Sequence, residues 1–155
     1  MPISDVISVS STRTTPDGGP PNQAAVLVLQ IYMNTNRSIL LIDDDPDVRV
    51  MLRDFLEEEG FVVHTAREGQ HALQVLDRIH PPDLILLDYK MPVMDGRQFL
   101  SMQRRIPKLQ VVPVVILSAA TREWSGAHLE VEEVLSKPVD LEVLLNTVNR
   151  ICAEL

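Results

Sequence analysis

Five short aliphatic runs, Ile39–Ile42, Phe61–Val63, Leu84–Leu87, Val114–Leu117 and Val131–Leu135, alternate with longer segments whose apolar residues recur at helical spacing. An almost wholly apolar strand must be covered on both faces, and in a repeated βα pattern that means a parallel sheet between layers of helices. The fifth run differs, because Glu132 and Glu133 interrupt it, as expected of an edge strand guarded against further pairing. Pro113 stands just before the fourth run, where a missing N–H is tolerated. The expected fold is a small doubly wound α/β sandwich over residues 38–155.

The intervening segments carry helix signals. Asp45 is placed to cap the first, with Pro46 in its opening turn, Val48, Met51, Leu52 and Phe55 on its apolar face, and Gly60 at its end. Ala72, Leu73, Leu76 and Ile79 mark the second, closed by Pro81 and Pro82. Phe99, Met102, Gln103 and Ile106 mark a third. Leu141, Leu144, Leu145, Val148 and Ile151 form the stripe of a strongly amphipathic last helix, with Cys152 beside it. Little room is left between Ser118 and Lys137, so a fourth helix over "TREWSGAHLE" is expected to be short or irregular. Its Trp124 either packs locally or serves an interface.

Residues 1–23 are rich in Ser, Thr, Pro and Gly, and residues 1–37 are read as a largely disordered N-terminal tail. Within it, "AAVLVLQIYM" at 24–33 leaves strand, helix and docking segment open. That stretch is too short to span a membrane and lacks the basic flank of a signal peptide, so a soluble cytoplasmic protein is expected. Hydrophobic residues make up 45% of the chain, enough for a packed core. A single cysteine excludes an internal disulfide. The formal net charge is −8, and the longest basic cluster is Arg104-Arg105 with Lys108 nearby. Such a balance argues against direct nucleic-acid binding.

Polar residues collect where the strands end. Asp43, Asp44 and Asp45 end the first run, Asp88 the third and Ser118 the fourth, and Lys137 follows the fifth. In a doubly wound sheet, ligands bind outside the carboxyl ends of the strands, so these residues converge on one edge. Two carboxylates about 4 Å apart repel by roughly 4 kcal/mol at an effective dielectric near 20. A hard divalent cation such as Mg²⁺ offsets that repulsion and suits an all-oxygen donor set. One carboxylate would remain as a nucleophile, with a hydroxyl and an ammonium to hold phosphoryl oxygens. The chemistry this set fits is phosphoryl transfer to an aspartate.

The stretches "ILLIDDDPDVR", "DLILLDYKMPVMDG", "VVILSA" and "LSKP", in that order, resemble the receiver domains of two-component response regulators over about residues 38–153. The resemblance implies a flavodoxin-like (βα)5 fold with strand order 2-1-3-4-5. It implies that Asp43 and Asp44 hold Mg²⁺ or Mn²⁺, that Asp88 accepts the phosphoryl group and also ligates the metal, and that the Lys90 backbone carbonyl completes the metal site. Ser118 matches the switch hydroxyl, Ala119 the small residue behind it, and Lys137 the family's lysine, aimed by a cis Lys137-Pro138 bond. Lys90 and Ala120 flank the path of the hydrolytic water. The implied donor is a phosphohistidine on a sensor histidine kinase or a histidine phosphotransfer protein, with output to a further protein or along a phosphorelay. No output domain follows the last helix, so a stand-alone signalling module rather than an enzyme is expected. One departure stands out: Val134 occupies the position that usually carries the family's mobile aromatic ring.

Two other readings remain open at this point. A haloacid-dehalogenase-type phosphatase would use Asp43 as nucleophile, but no acidic pair follows the lysine and the length leaves no room for a cap domain. A receiver-like binding module that keeps the site without using phosphorylation is the other. Asp83 and Asp95 are read as a strand start and a helix cap. His64, His71, His80 and His128 lack metal-ligand spacing and are read as surface residues.

Overall fold

The computed structural model describes residues 22–34, 37–119 and 130–155. Its strands are β1 (Ser38–Ile42), β2 (Val62–Ala66), β3 (Leu84–Asp88), β4 (Val114–Ser118) and β5 (Glu133–Ser136). They form one sheet in the order β2-β1-β3-β4-β5, and every pairing is parallel. The helices are α1 (Gln23–Asn34), α2 (Pro46–Glu58), α3 (Gly69–Leu76), α4 (Gly96–Gln103) and α5 (Leu141–Ala153).

Alternation along each strand divides the core in two. Ile39, Leu41, Leu84, Leu86, Val115 and Leu117 point to the face covered by Leu52 and Leu56 of α2 and by Leu144, Val148 and Ile151 of α5. Leu40, Ile42, Ile85, Leu87, Val114 and Ile116 point to the other, under Ala72 and Leu76 of α3 and Phe99 and Leu100 of α4. The last four residues of β1 and all of β3 and β4 are therefore buried, which is why these runs read as continuously apolar. Cys152 is buried in the α5 layer, where apolar surroundings push its thiol up to about 11. Packing is its role.

The two edge strands depart from the expected bounds. β2 begins after Phe61 and continues through His64 and Thr65, with only Ala66 fully buried. Polar residues are tolerated on a half-covered edge, so hydrophobicity alone ended the run too early. β5 is shifted to Glu133–Ser136, and its Glu133 pairs with Arg150 of α5 at 2.6 Å. The third helix stops at Gln103, short of Ile106, and turns carry the chain to Val112. Buried Gln103 makes that stop, since its side-chain amide donates to the Leu109 and Val112 carbonyls and holds the turns against the helix end.

Residues 23–34, within the stretch expected as tail, form α1, so the open choice for 24–33 is settled as a helix. Asn22 accepts the Ala24 N–H at the start of α1, a cap that a polar residue before a uniformly apolar run supplies. α1 reaches the body through Ile31 over Gly60 and a bond from Gln30 Nε2 to Asn149 Oδ1 of α5. Residues 1–21, Ala120, Trp124, His128 and the expected fourth helix lie outside the described residues. None of the described helices is long and apolar enough to cross a membrane.

Gly60 takes φ +95, and a Cβ there would lie 2.8 Å from the Ile31 carbonyl oxygen. Both the left-handed backbone and the approach of α1 require glycine. Gly60→Ala is expected to cost about 1–2 kcal/mol or more, read as a lower urea midpoint. An unchanged midpoint would show that neither constraint is felt.

Candidate functional site

Parallel strands deliver their carboxyl ends to one edge, and Asp43, Asp88, Ser118 and Lys137 stand there on or just beyond β1, β3, β4 and β5. Asp43 is fully buried, and each of its carboxylate oxygens has a partner. Its Oδ1 accepts the Asp45 N–H at 2.9 Å, and its Oδ2 accepts Lys137 Nζ at 2.7 Å. Lys137 Nζ also lies 3.4 Å from Asp88 Oδ2. Carboxylate oxygens of Asp43, Asp44 and Asp88 all fall within 4.8 Å of one another, with Asp44 exposed and the other two buried.

One ammonium for three carboxylates leaves the cluster short of positive charge. Burial pushes the Asp88 carboxyl up to about 7, helped by a hydrogen bond to Asp44 and the negative charge of Asp43 and Asp44, while Lys137 pulls the other way. Burial alone would lower the Lys137 ammonium. The hydrogen bond and charge of Asp43, then of Asp88, outweigh that and raise it. Lys137 therefore stays charged, and the strain of crowding falls on Asp88. Three hard oxygen donors on a shared, partly open surface are the donor set a Mg²⁺-sized ion takes.

Local sequence explains how the set is held. Asp45 is not part of it, because its Oδ1 accepts the Asp47 and Val48 N–H groups and caps α2, as its place before Pro46 implied. Lys137 follows β5 and its N–H donates to the Ser118 carbonyl at 2.8 Å, tying the two positions together. The Lys137-Pro138 bond is cis. Ser118 is buried at the end of β4, and Lys90 lines an open cleft of about 470 Å³ with Asp44, Tyr89, Met91, Pro92 and Asp95. Val134 is half-buried against the α3–α4 side of the core.

Asp83 and Asp95 do the structural work expected of them. Asp83 accepts the Ser38 N–H and pairs with Arg37, and Asp95 forms a capping box with Gln98 at the start of α4. His71 accepts the Arg67 N–H, His64 lies in the middle of β2 opposite Leu40, and His80 shares a surface pocket with Ser38 at the start of β1.

Sequence reasoning missed Arg49 and Gly96. Arg49 Nη1 donates to the Asp43 backbone carbonyl at 2.7 Å, and its position one turn after Asp45 on α2 was the available signal. Gly96 abuts the loop that follows Asp88. Its N–H donates to the Tyr89 carbonyl, and a Cβ would meet Tyr89 Cα at 2.9 Å and the Asp88 carbonyl oxygen at 3.0 Å. These neighbours are backbone and cannot rotate away. Gly96→Ala is expected to cost about 1–3 kcal/mol, checked by chemical denaturation; a midpoint equal to the parent's would mean the loop yields freely.

The sequence model of the response regulator receiver domain matches residues 39–149. Protein PilH of Pseudomonas aeruginosa is 33% identical over 119 residues, which cover 74% of this chain and 97% of PilH. Response regulator Rre1 of Synechocystis is 37% identical over 122 residues, covering 75% of this chain but 52% of that protein. Among solved structures, the Vibrio cholerae chemotaxis protein CheY4 superposes with a TM-score of 0.69 at 30% identity, over 74% of this chain and 98% of its own. Receiver domains are signalling modules rather than ordinary enzymes; they bind Mg²⁺ at an acidic pocket and interact with histidine kinases or phosphotransfer partners. On the matched span, the strand order and the likeness to CheY4, the chain belongs to the receiver domains of two-component response regulators.

Proposed function

We propose that Asp88 is the phosphoryl acceptor of this receiver, in a reaction that needs Mg²⁺ or Mn²⁺. The observation that carries the reading is the meeting of buried Asp43 and Asp88 with exposed Asp44, where the Lys137 ammonium touches the two buried carboxylates. No packing need explains such a cluster at strand ends. Asp43, Asp44, Asp88 and the Lys90 backbone carbonyl would hold the cation, which supplies the positive charge that lets three carboxylates and a phosphoryl group share one site.

The chain's own groups account for the remaining chemistry. An oxygen of ionised Asp88 attacks phosphorus, the P–N bond of the phosphohistidine breaks, and its electron pair stays on the imidazole nitrogen. Lys137 meets the incoming negative charge from a position already 3.4 Å from Asp88. The Ser118 hydroxyl donates to a phosphoryl oxygen at the end of the adjoining strand. The added charge of about −1.5 to −2 draws both groups inward and biases the β4–β5 surface between two states. Water attack on phosphorus then breaks the acyl P–O bond, returning the Asp88 carboxylate and inorganic phosphate. Val134 has no ring to swing, so this surface responds without the family's usual aromatic readout.

The donor is a sensor histidine kinase or histidine phosphotransfer protein, the setting is the cytoplasm, and the output passes to another protein. Radiolabelled acetyl phosphate serves as a small donor for the test. The expected product is one label per chain that neutral hydroxylamine removes, as an acyl phosphate requires. A label stable to hydroxylamine would identify a hydroxyl acceptor such as Ser118 and overturn the assignment.

A further inference from the structure

A second surface of this acidic chain carries the opposite charge. Between Lys90 and Lys108 the sequence holds five cations, Lys90, Arg97, Arg104, Arg105 and Lys108, against one acid, Asp95. Asp95 is committed to the capping box of α4. Arg104 is committed to Glu130. Arg97 and Arg105 are exposed, with no ion-pair partner among the described residues.

Both arginines line a groove that also holds apolar side chains. Val93, Met94, Arg97, Gln98, Ser101, Met102 and Arg105 line an open groove of about 410 Å³ along α4. Val93 is 82% exposed and Met102 39% exposed. Val93 also sits at φ +65, a left-handed conformation uncommon for a β-branched residue, of the kind that gathers at binding loops. The Ser101 hydroxyl already donates to the Arg97 carbonyl, so the floor presents methyl, thioether and aliphatic surface. Methionines make such a floor adaptable to a range of apolar side chains.

We propose that this groove docks a short acidic, amphipathic segment of a partner protein. Carboxylates of that segment pair with Arg97 and Arg105, whose forked donors match them bidentately. A large apolar side chain between them fills the groove at Met94 and Met102. Charge complementarity selects this occupant: a cationic rim on a chain of net charge −8 repels basic partners locally and polyanions at long range. A nucleic-acid strand would want stacking aromatics, and none lines the groove. The surface lies beyond the phosphoryl site, since neither its carboxylates nor Lys137 lines the groove, yet Val93 and Met94 belong to the loop that follows Asp88. This goes beyond the phosphoryl-acceptor reading and stands without it.

A random peptide display library panned on the full chain, with Arg97→Glu/Arg105→Glu as a parallel target, tests the proposal. Far-UV circular dichroism verifies that both targets are folded. Enriched peptides are expected to be acidic with at least one large apolar residue, and to bind with amide shifts confined to residues 93–105. Their affinity is expected to fall at least tenfold in the double variant. Met102→Asp, which keeps both guanidiniums, is expected to weaken the same peptides. Enrichment of basic or neutral peptides, equal capture by both targets, or no enrichment would overturn it. So would tighter binding of a single-stranded oligonucleotide than of the selected peptides, or a concentration-dependent dimer that the double variant loses.

Discussion

Lys137→Ala is expected to abolish phosphoryl uptake from acetyl phosphate to below a hundredth of the parent rate, and to destabilise the metal-free protein by about 3–5 kcal/mol, the usual cost of removing one partner from a buried ion pair. Lys137 pairs with two carboxylates of the cluster, 2.7 Å from Asp43 and 3.4 Å from Asp88. Asp43 is fully buried, so its Oδ2 would lose its charged donor. The remaining carboxylates would respond by binding a proton, and a protonated Asp88 is no nucleophile. Lys137→Arg separates charge from shape: it keeps the positive charge but sets a planar fork where a tetrahedral ammonium bridges two carboxylates. Recovery of stability without recovery of uptake is the expected pattern, measured by urea titration beside an uptake assay. Full uptake in Lys137→Ala would mean that the cluster tolerates its own charge.

Asp88→Asn is expected to do the reverse to stability. The folded protein holds a proton on Asp88 up to about pH 7, whereas an ordinary aspartate releases it near 3.8. Between those values the folded state binds more protons than the unfolded one, so stability falls as pH rises through that window. Asparagine cannot ionise and is free of that penalty. The variant should match the parent near pH 4 and exceed it by roughly 2 to 4 kcal/mol above pH 7, since each tenfold change in proton affinity is worth about 1.4 kcal/mol. Mg²⁺ should narrow the gap, because a cation that binds only the folded state stabilises by mass action and the parent offers it the extra charge. Thermal unfolding at pH 4.5 and pH 8, with and without Mg²⁺, reads all of this. A constant difference at both pH values would contradict the raised Asp88.

Much of this site was legible because its residues end strands. Asp43, Asp88 and Ser118 each close an aliphatic run, and the parallel sheet implied by those runs carries every such end to one edge. Strand order and the cis bond before Pro138 were implied by the family resemblance, since burial patterns alone do not rank neighbours. Arg49 and Gly96 escaped for a different reason. A guanidinium reaching a carbonyl and a hydrogen where a methyl would collide are consequences of backbone approach, invisible until the loops are placed. α1 was undecided because its sequence is apolar all round, without the stripe that marks a helix packed on one side. At the edges, His64 and Thr65 hid the length of β2, since a half-covered strand need not be apolar.

The most direct measurement is the intact mass of the protein after acetyl phosphate, with Mg²⁺ or with a chelator, beside Asp88→Asn. One phosphoryl group on the parent with Mg²⁺, and none on the chelated sample or the variant, is the expected result. No adduct under conditions that modify another receiver, or an adduct that persists in Asp88→Asn, would contradict Asp88 as the acceptor.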